Sequence, residues 1–384
     1  RLKTTANTIK AKRNFEKFIE LASFSPDYMD IEWDMPKPFF KKLKKRFLKI
    51  QWIISYHHFE KTPNNLNLLL KRMKRLKGSF YKIACSAKKD TDPLKLISFS
   101  KNHPEVLAVS MGRKGEISRI FNPSFITYAP LKDHWELAGA VTADYKKKDY
   151  YYALLGDAEK SFSYRLHNFV MKDLNSFYFT VCLSKKGLKR FFDLSFPFSG
   201  LSVTIPLKEK ILPFLDFIDE DAKKIKAVNT VVYKDRKTIG YNTDGKAALD
   251  LIESKTDLKG KKMAVLGAGG AARAIIYEAI KRKADVAVLN RTKSKADGIA
   301  EEFRIRSGSL EDIDLYSYDV IVNATASSDP LFFKKRVEGK IVMDIHLYEK
   351  MTPFLKKADQ AILIYGYEMW IKQAVLQYKL WYPG

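Results

Sequence analysis

Apolar residues follow two different spacings within residues 262–292. The runs at residues 263–266 and 286–289 are short and continuous, which is typical of strands buried in a parallel sheet. The apolar positions between them recur at helical spacing, which predicts a helix over residues 271–282. The pattern therefore predicts a strand–turn–helix–strand unit of about 30 residues with glycines in its turn.

Strand-like and helix-like segments also alternate before residue 146. Apolar runs predict strands at residues 28–34, 49–57, 80–86, 106–111 and 124–129, and amphipathic spacing predicts helices at residues 37–47, 66–76 and 94–101. This order indicates an α/β fold with a parallel sheet or barrel. In a (β/α)8 barrel the strand ends face the active site, and the polar residues Glu32, His57, His58 and Lys82 gather there, with Met111 at the end of the fourth strand.

The same kinds of pattern resume after a lysine-rich segment, residues 146–149, which is a candidate linker. Residues 151–156 predict a strand and residues 161–168 open a helix. Residues 200–204 predict another strand, and Lys208 follows at the start of a predicted helix. A lysine opposes the dipole at a helix start, which favours a functional role for Lys208.

Composition narrows the class of protein. A chain of 384 residues has room for two or three domains, and 46% of its residues are hydrophobic. No apolar run approaches the ~20 residues of a membrane span, and the first residues lack a signal-peptide pattern. Cys85 and Cys182 suggest neither a disulfide framework nor a metal site. We expect a cytoplasmic protein without a membrane partner.

The net charge of +25 raises nucleic acid as a possible partner. However, lysine and arginine are spread along the whole chain, and no zinc-finger, RRM or basic-zipper pattern accompanies them. We therefore favour anionic small molecules over nucleic acid. The alternative is a basic regulatory protein that binds nucleic acid and uses a dinucleotide as a ligand.

The glycine turn at residues 267–270 has the context of a dinucleotide site, because it joins a strand to a helix. Glycines allow a pyrophosphate to approach the backbone, and the helix start offers free N–H groups. NAD sites usually place an acid at the end of the second strand. Here the cofactor candidates are Asn290, Arg291, Thr292 and Lys295, which suit the 2′-phosphate of NADP; the alternative is that these cations are ordinary surface charges.

Lys82 lies within an apolar predicted strand. A buried lysine is costly unless its charge is lost or compensated, which makes Lys82 a candidate Schiff-base nucleophile for a ketone. A histidine at a neighbouring strand end could transfer protons. The alternative is a lysine whose amine extends from the strand end to water.

The region after residue 150 offers a different set of polar groups. Asn229 and Asp244 each follow a strand-like run, and we expect them across a cleft from Lys208. A lysine–aspartate pair beside a nicotinamide suits carbonyl reduction, because the lysine can donate a proton as hydride arrives. Ser161 and Ser163 precede a helix, where they either cap it or hold a polyhydroxylated acid.

Four segments, residues 31–32, 55–57, 81–84 and 111–119, resemble the ordered motifs of type I 3-dehydroquinate dehydratases. The resemblance implies that Lys82 forms an imine with the substrate and that His57 is the acid and base. It also implies that Glu32 orients His57 within the substrate site and that Arg119 holds the substrate carboxylate. The family's first strand has no counterpart, so we expect an N-terminally incomplete barrel over residues 1–145.

Two further features of this barrel depart from the family pattern. Arg1 matches at most a remnant of the second strand's arginine. Residues 136–140 align with the family's closing loop but lack its serine and glutamine. An inactive dehydratase barrel therefore stays open as an alternative.

The chain from Tyr151 onward closely resembles shikimate dehydrogenase. The resemblance implies Lys208 and Asp244 as the catalytic pair. It implies substrate contacts from Ser161, Ser163, Thr204, Asn229, Asp244 and Gln373. It implies cofactor contacts from Gly267, Ala268, Gly269, Gly270, Ala271, Asn290, Arg291, Thr292, Lys295, Asn323 and Thr325. Ser202, where many members carry Asn, and Tyr164, commonly Pro, depart from the family pattern.

The order of the two resemblances is that of the fused enzymes of plants and chlamydia-like bacteria. We expect a shikimate-binding domain at residues 150–245, completed by residues 366–384, and a Rossmann NADP domain at residues 246–365. The implied function is dehydration of 3-dehydroquinate and NADPH-dependent reduction of 3-dehydroshikimate to shikimate. Quinate as a substrate and the oligomeric state stay open.

Overall fold

The computed structural model describes residues 8–124, 148–159, 161, 163–311, 314–330, 337–347 and 351–382. The chain divides into two compact units. The first contains residues 1–150 and 157–197, and the second contains residues 151–156 and 198–384.

The first unit contains a parallel sheet in the order β1-β2-β3-β4. Its strands are β1 (Tyr28–Glu32), β2 (Gln51–His58), β3 (Phe80–Ser86) and β4 (Val106–Met111). Its helices are α1 (Thr8–Ser23), α2 (Lys37–Arg46), α3 (Leu66–Met73), α4 (Asp92–Asn102) and α5 (Ile117–Ile120). Helical crossovers keep the strands parallel, so the four carboxyl ends lie at one edge of the sheet.

The chain continues through β5 (Tyr150–Gly156), α6 (Ser163–Val170), β6 (Ser176–Cys182) and α7 (Leu188–Asp193), of which α6, β6 and α7 belong to the first unit. Asn168 ties α6 to β6, because its side chain donates to the backbone oxygen of Tyr178 at 2.7 Å and accepts from its N–H at 2.8 Å. His167 stacks on the ring of Tyr178 at 4.2 Å.

In the second unit, strands run in the order β5-β7-β9-β10-β8. The elements are β7 (Gly200–Val203), β8 (Phe217–Ile218), α8 (Glu220–Ile225), β9 (Thr230–Lys234), β10 (Lys237–Tyr241) and α9 (Asp244–Glu253). β9 and β10 form a hairpin whose turn residues, Asp235 and Arg236, have φ of 51° and 61°. Two positive φ values in a two-residue turn match the twist of the flanking strands.

The second sheet of this unit is parallel throughout, in the order β13-β12-β11-β14-β15-β16. Its elements are β11 (Lys262–Leu266), α10 (Gly270–Lys281), β12 (Asp285–Leu289), α11 (Lys293–Phe303), β13 (Arg306–Gly308), β14 (Val320–Asn323), β15 (Ile341–Asp344), α12 (Pro353–Lys356), β16 (Ile362–Ile364) and α13 (Gly366–Trp381). The strand order reverses between β11 and β14, which is where such sheets bind ligands at their carboxyl edge.

The structure confirms the α/β class and most predicted elements, but it corrects one local prediction. Lys208 does not begin a helix, because residues 204–211 form turns. A single 3-10 turn, Leu212–Phe214, follows, and its Pro213 lacks the backbone N–H that a longer helix would need at that position. The strand predicted at residues 124–129 and the predictions for Arg1 and residues 136–140 lie outside the described residues, Ser124 excepted. No helix in the described part of the chain is long and apolar enough to cross a membrane.

Candidate active sites

Lys208 and Asp244 form an ion pair in the second unit, with Lys208 Nζ 2.6 Å from Asp244 Oδ2. Lys208 lies in the turns after β7, and Asp244 is the first residue of α9. The free N–H groups of a helix start favour a carboxylate at this position. The side chain of Asp244 is 3% exposed and that of Lys208 is 18% exposed, so the amine forms the accessible side of the pair.

Asn229 holds the other oxygen of the same carboxylate. Its Nδ2 donates to Asp244 Oδ1 at 2.8 Å, and its Oδ1 accepts from the N–H of Thr243 at 2.9 Å. Asn229 is fully buried immediately before β9. Both oxygens of Asp244 therefore have a partner, and the carboxylate has one preferred orientation.

The glycine turn lies directly against this pair. A Cβ added at Gly270 would lie 3.5 Å from Cβ of Lys208 and 3.2 Å from Cβ of Ala227. At Gly267, φ is +112° and an added Cβ would lie 2.6 Å from the backbone oxygen of Ala324. Gly267 is required by backbone geometry, and Gly270 keeps the turn close to Lys208.

The start of α10 is open enough for a pyrophosphate. A Cβ at Gly269 would have no heavy atom within 4 Å, and Gly269 precedes the first helical residue, Gly270. Ala268 and Ala271 flank these glycines and are partly exposed. The turn thus presents helix N–H groups at an accessible surface, which fits an anion such as a dinucleotide phosphate.

The turn between β12 and α11 contains the cationic candidates. Arg291, Thr292 and Lys295 are exposed, and Asn290 closes the turn by donating to the backbone oxygen of Thr292 at 3.0 Å. Residues 290–295 contain no carboxylate. The residues present therefore fit a phosphate on the ribose better than a free ribose hydroxyl.

Asn323 and Thr325 shape the loop after β14. Asn323 is fully buried; its Nδ2 donates to Asp344 Oδ1 at 3.1 Å, and its Oδ1 accepts from Thr325 Oγ1 at 2.8 Å. Asp344 in turn accepts from Thr352 Oγ1 at 2.6 Å. These bonds fix the loop that contacts Gly267, so the side chain of Asn323 supports the turn and its contact with a cofactor stays a prediction.

The remaining candidates for substrate binding divide between the two units. Thr204 follows β7, and Gln373 is partly buried on α13 in the second unit. Ser161 and Ser163 lie at the start of α6 in the first unit, where Ser161 Oγ donates to Ser163 Oγ at 3.0 Å and accepts from its N–H at 3.2 Å. The serines thus act at least as a helix cap, and their contact with a substrate stays a prediction.

The site in the first unit surrounds Lys82 on β3. Lys82 Nζ lies 2.9 Å from Asp30 Oδ2 on β1, and Ser55 on the intervening strand β2 donates to the other oxygen of Asp30. The side chain of Lys82 is 12% exposed, so its charge is compensated rather than left bare in the sheet. Sequence reasoning missed Asp30, although it has the same strand parity as Glu32 and so faces the same side of the sheet.

His57 and Glu32 pair next to Lys82 in the sheet. His57 Nδ1 contacts Glu32 Oε1, which fixes the orientation of the imidazole and leaves its other nitrogen for chemistry. The side chains are 19% and 31% exposed, respectively. Arg119 lies on α5, which follows β4, so its position beyond a strand end agrees with the predicted edge of the sheet.

Glu116 precedes Arg119 and is the most perturbed acid of this region. Burial raises the pKa of Glu116 to about 7, while a hydrogen bond from Thr180 and the charges of Arg113 and Arg119 oppose the increase. Thr180 Oγ1 on β6 donates to Glu116 Oε2 at 3.3 Å. The carboxyl group of Glu116 therefore joins the segment that follows β4 to strand β6, and its protonation changes near neutral pH.

Sequence reasoning also missed Gln377 on α13. Gln377 is 2% exposed and hydrogen bonds to Ser202, Asn229 and Thr230. It lies four residues after Gln373, so helical spacing places both on one face, which was the available signal.

Three family models match the chain in sequence order. They are "Type I 3-dehydroquinase" at residues 5–153, "Shikimate dehydrogenase substrate binding domain" at residues 156–231, and "Shikimate / quinate 5-dehydrogenase" at residues 250–348. Lys82 falls in the first match, Lys208 in the second and the glycine turn in the third.

Two relatives match nearly the whole chain. The "Shikimate biosynthesis protein AroDE" of Chlamydia pneumoniae is 32% identical over 395 residues, which cover 96% of this chain and 81% of that protein. The chloroplastic "Bifunctional 3-dehydroquinate dehydratase/shikimate dehydrogenase" of Arabidopsis thaliana is 29% identical and covers 92% of this chain and 67% of that protein.

Solved structures agree with these matches. The shikimate dehydrogenase of Thermus thermophilus in complex with NADP(H) and shikimate has a TM-score of 0.55 and 30% identity, covering 61% of this chain and 94% of that one. The dehydroquinate dehydratase and shikimate dehydrogenase from S. pombe AroM has a TM-score of 0.52 over 98% of this chain and 81% of that one. At 21% identity, the second likeness supports the fold alone.

Proposed function

The chain belongs to the family of fused type I 3-dehydroquinate dehydratases and shikimate dehydrogenases, and on that premise we propose how its own residues perform the two reactions. It is a bifunctional shikimate-pathway enzyme whose dehydrogenase uses NADP. We assign the dehydratase to residues 1–145, shikimate binding to residues 150–245 with residues 366–384, and the Rossmann domain to residues 246–365.

In the reductase, Lys208 is the proton donor. When bound, NADPH supplies the hydride for the ketone of 3-dehydroshikimate. Lys208 Nζ donates a proton to the carbonyl oxygen as that oxygen gains negative charge, which yields the hydroxyl of shikimate. Asp244 keeps the amine in place from its buried side, and Asn229 keeps Asp244 in place. The observation that carries this proposal is the 2.6 Å Lys208–Asp244 pair against the glycine turn.

The other polar candidates bind the two ligands. We assign the carboxylate and ring hydroxyls of the substrate to Ser161, Ser163, Thr204, Asn229 and Gln373. We assign the cofactor to Gly267, Ala268, Gly269, Gly270, Ala271, Asn290, Arg291, Thr292, Lys295, Asn323 and Thr325. The open start of α10 supports the pyrophosphate position, and the exposed cations after β12 support the position of the 2′-phosphate.

In the dehydratase, Lys82 is the covalent nucleophile. Its amine adds to the ketone carbon of 3-dehydroquinate, and loss of water leaves a protonated imine. The imine draws electrons from the neighbouring carbon, so His57 can remove a proton there and return it to the hydroxyl on the next carbon, which then leaves as water. Hydrolysis then releases 3-dehydroshikimate and Lys82. Glu32 holds His57 in place, and we assign the substrate carboxylate to Arg119.

We also propose a cytoplasmic location and no nucleic-acid partner. Burial raises the pKa of the Cys85 thiol to about 12 and that of Cys182 to about 11, so neither forms a thiolate easily. Free, unreactive thiols suit a reducing compartment. Binding to a duplex oligonucleotide that persists at physiological salt would contradict the second part of the proposal.

A coupled assay tests both activities in one protein. NADPH absorbance is followed after addition of 3-dehydroshikimate, which requires the reductase alone, or of 3-dehydroquinate, which requires both. Oxidation of NADPH with each substrate is the expected result. Turnover with 3-dehydroshikimate alone would support the dehydrogenase and reject the dehydratase. Turnover with neither would reject the reductase, and the dehydratase would then be followed directly by the absorbance of the conjugated ketone that it forms.

A further inference from the structure

Gln377 is a buried amide in the second unit that the proposed reaction does not use. It is 2% exposed, and a buried carboxamide is costly unless it is hydrogen bonded. Its Oε1 accepts from Ser202 Oγ at 3.0 Å, and its Nε2 donates to the backbone oxygen of Asn229 at 3.1 Å and to Thr230 Oγ1 at 3.0 Å. Gln377 thus ties α13 to β7 and to the start of β9.

The partners of Gln377 determine which way its amide points. The backbone oxygen of Asn229 can only accept a hydrogen bond, so the nitrogen of the Gln377 amide must face it. The opposite orientation would place two oxygens against each other in a buried site. The hydroxyl of Ser202 then donates to the remaining amide oxygen.

The hydroxyl of Thr230 in turn determines how the amide of Asn229 is oriented. The hydroxyl of Thr230 has one hydrogen, and because it accepts from Gln377, it donates that hydrogen to Asn229 Oδ1 at 2.7 Å. The N–H of Thr243 donates to the same oxygen at 2.9 Å. Nδ2 of Asn229 must therefore point to the other side, where it donates to Asp244 Oδ1 at 2.8 Å.

We propose that Gln377 is a positioning residue for the reductase. Through Thr230 and Asn229 it sets the orientation of the Asp244 carboxylate and thereby the position of Lys208 Nζ. Gln377 acts without touching substrate or cofactor. This inference rests on the proposed reductase function, because it assigns a role within that active site.

The first test replaces Gln377 by leucine, which keeps the size and removes three hydrogen bonds. We expect kcat for 3-dehydroshikimate reduction to fall roughly tenfold, because the Asp244–Lys208 pair loses its preferred geometry. KM for NADPH should stay within about twofold, since the glycine turn keeps its contacts. Val375→Leu is the matched control on α13, because Val375 is 46% exposed and should retain wild-type turnover.

Two further variants separate positioning from simple stability. Gln377→Glu keeps the shape but replaces the donor with a carboxyl oxygen, so its turnover should fall further as rising pH ionises that group against the Asn229 carbonyl. Ser202 is the register partner of Thr230 in β7 and β9, so an amide at position 202 lies opposite the Thr230 hydroxyl. Adding Ser202→Asn to Gln377→Leu should raise turnover at least about threefold, which is roughly the effect of regaining one of the lost hydrogen bonds.

Amide hydrogen exchange gives a readout that does not depend on turnover. Exchange in residues 241–246 should accelerate in Gln377→Leu, because the Thr243 N–H loses a fixed acceptor. A wild type without turnover rejects the proposed function and the inference with it. An active wild type rejects the inference alone if Gln377→Leu retains wild-type kcat per folded enzyme, or if exchange is unchanged.

Discussion

Each of the two candidate active sites holds a lysine against an aspartate, yet the two pairs are built differently. Lys82 Nζ lies 2.9 Å from Asp30, whose side chain is 30% exposed. Lys208 Nζ lies 2.6 Å from Asp244, whose side chain is 3% exposed. Asp30 shares its second oxygen with a serine hydroxyl, whereas Asp244 shares it with the buried amide of Asn229.

The difference corresponds to two tasks that a lysine can perform. A lysine that forms a carbon–nitrogen bond must leave its ion pair, and a partly exposed carboxylate can be solvated when the pair breaks. A lysine that transfers a proton keeps its place throughout, so a buried and rigidly oriented carboxylate suits it. On the proposed assignments, the same two residue types support covalent chemistry in one unit and proton transfer in the other.

The strongest test of this comparison replaces Lys82, the lysine that we propose as the covalent nucleophile. Lys82→Met should lower dehydratase turnover by more than about 10⁴-fold, because the strands β1 to β4 contain no other lysine that could form the imine. Borohydride with 3-dehydroquinate should add mass at Lys82 in the wild type and none in the variant. Lys88→Met, at an exposed position after β3, is the control and should retain turnover.

A second test addresses Lys208, the lysine that we propose as the proton donor. Lys208→Ala should lower reductase turnover about 10³-fold, within the range of general acid catalysis, and should leave NADPH binding by fluorescence intact. No borohydride adduct is expected at Lys208. The neighbouring variant Lys210→Ala, at an exposed position, should behave as wild type; an equal loss there would show that the loop rather than the amine matters.

The aspartates test the comparison directly. Asp244→Asn should lower reductase turnover about 10²-fold, because the Lys208 amine then loses its charge partner and the Asn229 amide faces another amide. Asp30→Asn should lower dehydratase turnover by only about tenfold, because water can reach that pair. If Asp244→Asn lowers reductase turnover and Asp30→Asn lowers dehydratase turnover by the same factor, the assignment of different tasks is contradicted.

The smallest expected effect concerns stability and its pH dependence. The folded state keeps the proton of Glu116 up to about pH 7 because burial raises its pKa, whereas an unfolded glutamate releases it near pH 4.5. The contribution of Glu116 to the free energy of unfolding is therefore fully present below pH 4.5 and is lost as the pH rises to about 7. The free energy lost over this range is no more than about 3 kcal/mol. Glu116→Gln should thus raise the urea midpoint relative to wild type at pH 8 and leave it nearly equal at pH 4.

Other titrating groups provide the control for this measurement. Burial lowers the pKa of His167 to about 4, so its contribution has the opposite slope, and only the difference between variant and wild type isolates Glu116. The Glu105 carboxyl has its pKa lowered by Lys74, so Glu105→Gln should not stabilise at pH 8. A Glu116→Gln difference that does not grow between pH 4 and 8 would contradict the assigned pKa.

Local sequence patterns predicted most of the fold. Apolar spacing predicted the four strands of the first unit and the strand–turn–helix–strand unit around Gly267, since both depend on neighbours in sequence. Lys208 was predicted at a helix start and lies in turns, because Pro213 limits the segment in a way that spacing alone does not weigh. The prediction therefore failed because it left out a local signal, the proline, which limits a helix without any tertiary contact.

Candidate site residues could be predicted from the sequence where a single residue is chemically unusual in its surroundings. Lys82 was conspicuous in an apolar strand, whereas its partner Asp30, the middle residue of β1, does not by itself indicate a contact with a lysine 52 residues away. Gln377 could not be assigned, because its partners Ser202 and Asn229 lie 175 and 148 residues away in sequence. Pairings over such distances follow from the fold and leave little trace in local sequence.

The long reach of Gln377 has a consequence during protein synthesis. The bond between Lys82 and Asp30 spans 52 residues, so both partners leave the ribosome within seconds of each other at about 5–20 residues per second. The amide network around Asn229 waits for a helix made 148 residues later. The nascent chain therefore has an incomplete reductase site until α13 emerges. Until then, the polar groups at the start of β9 lack the hydrogen bonds that Gln377 makes to them.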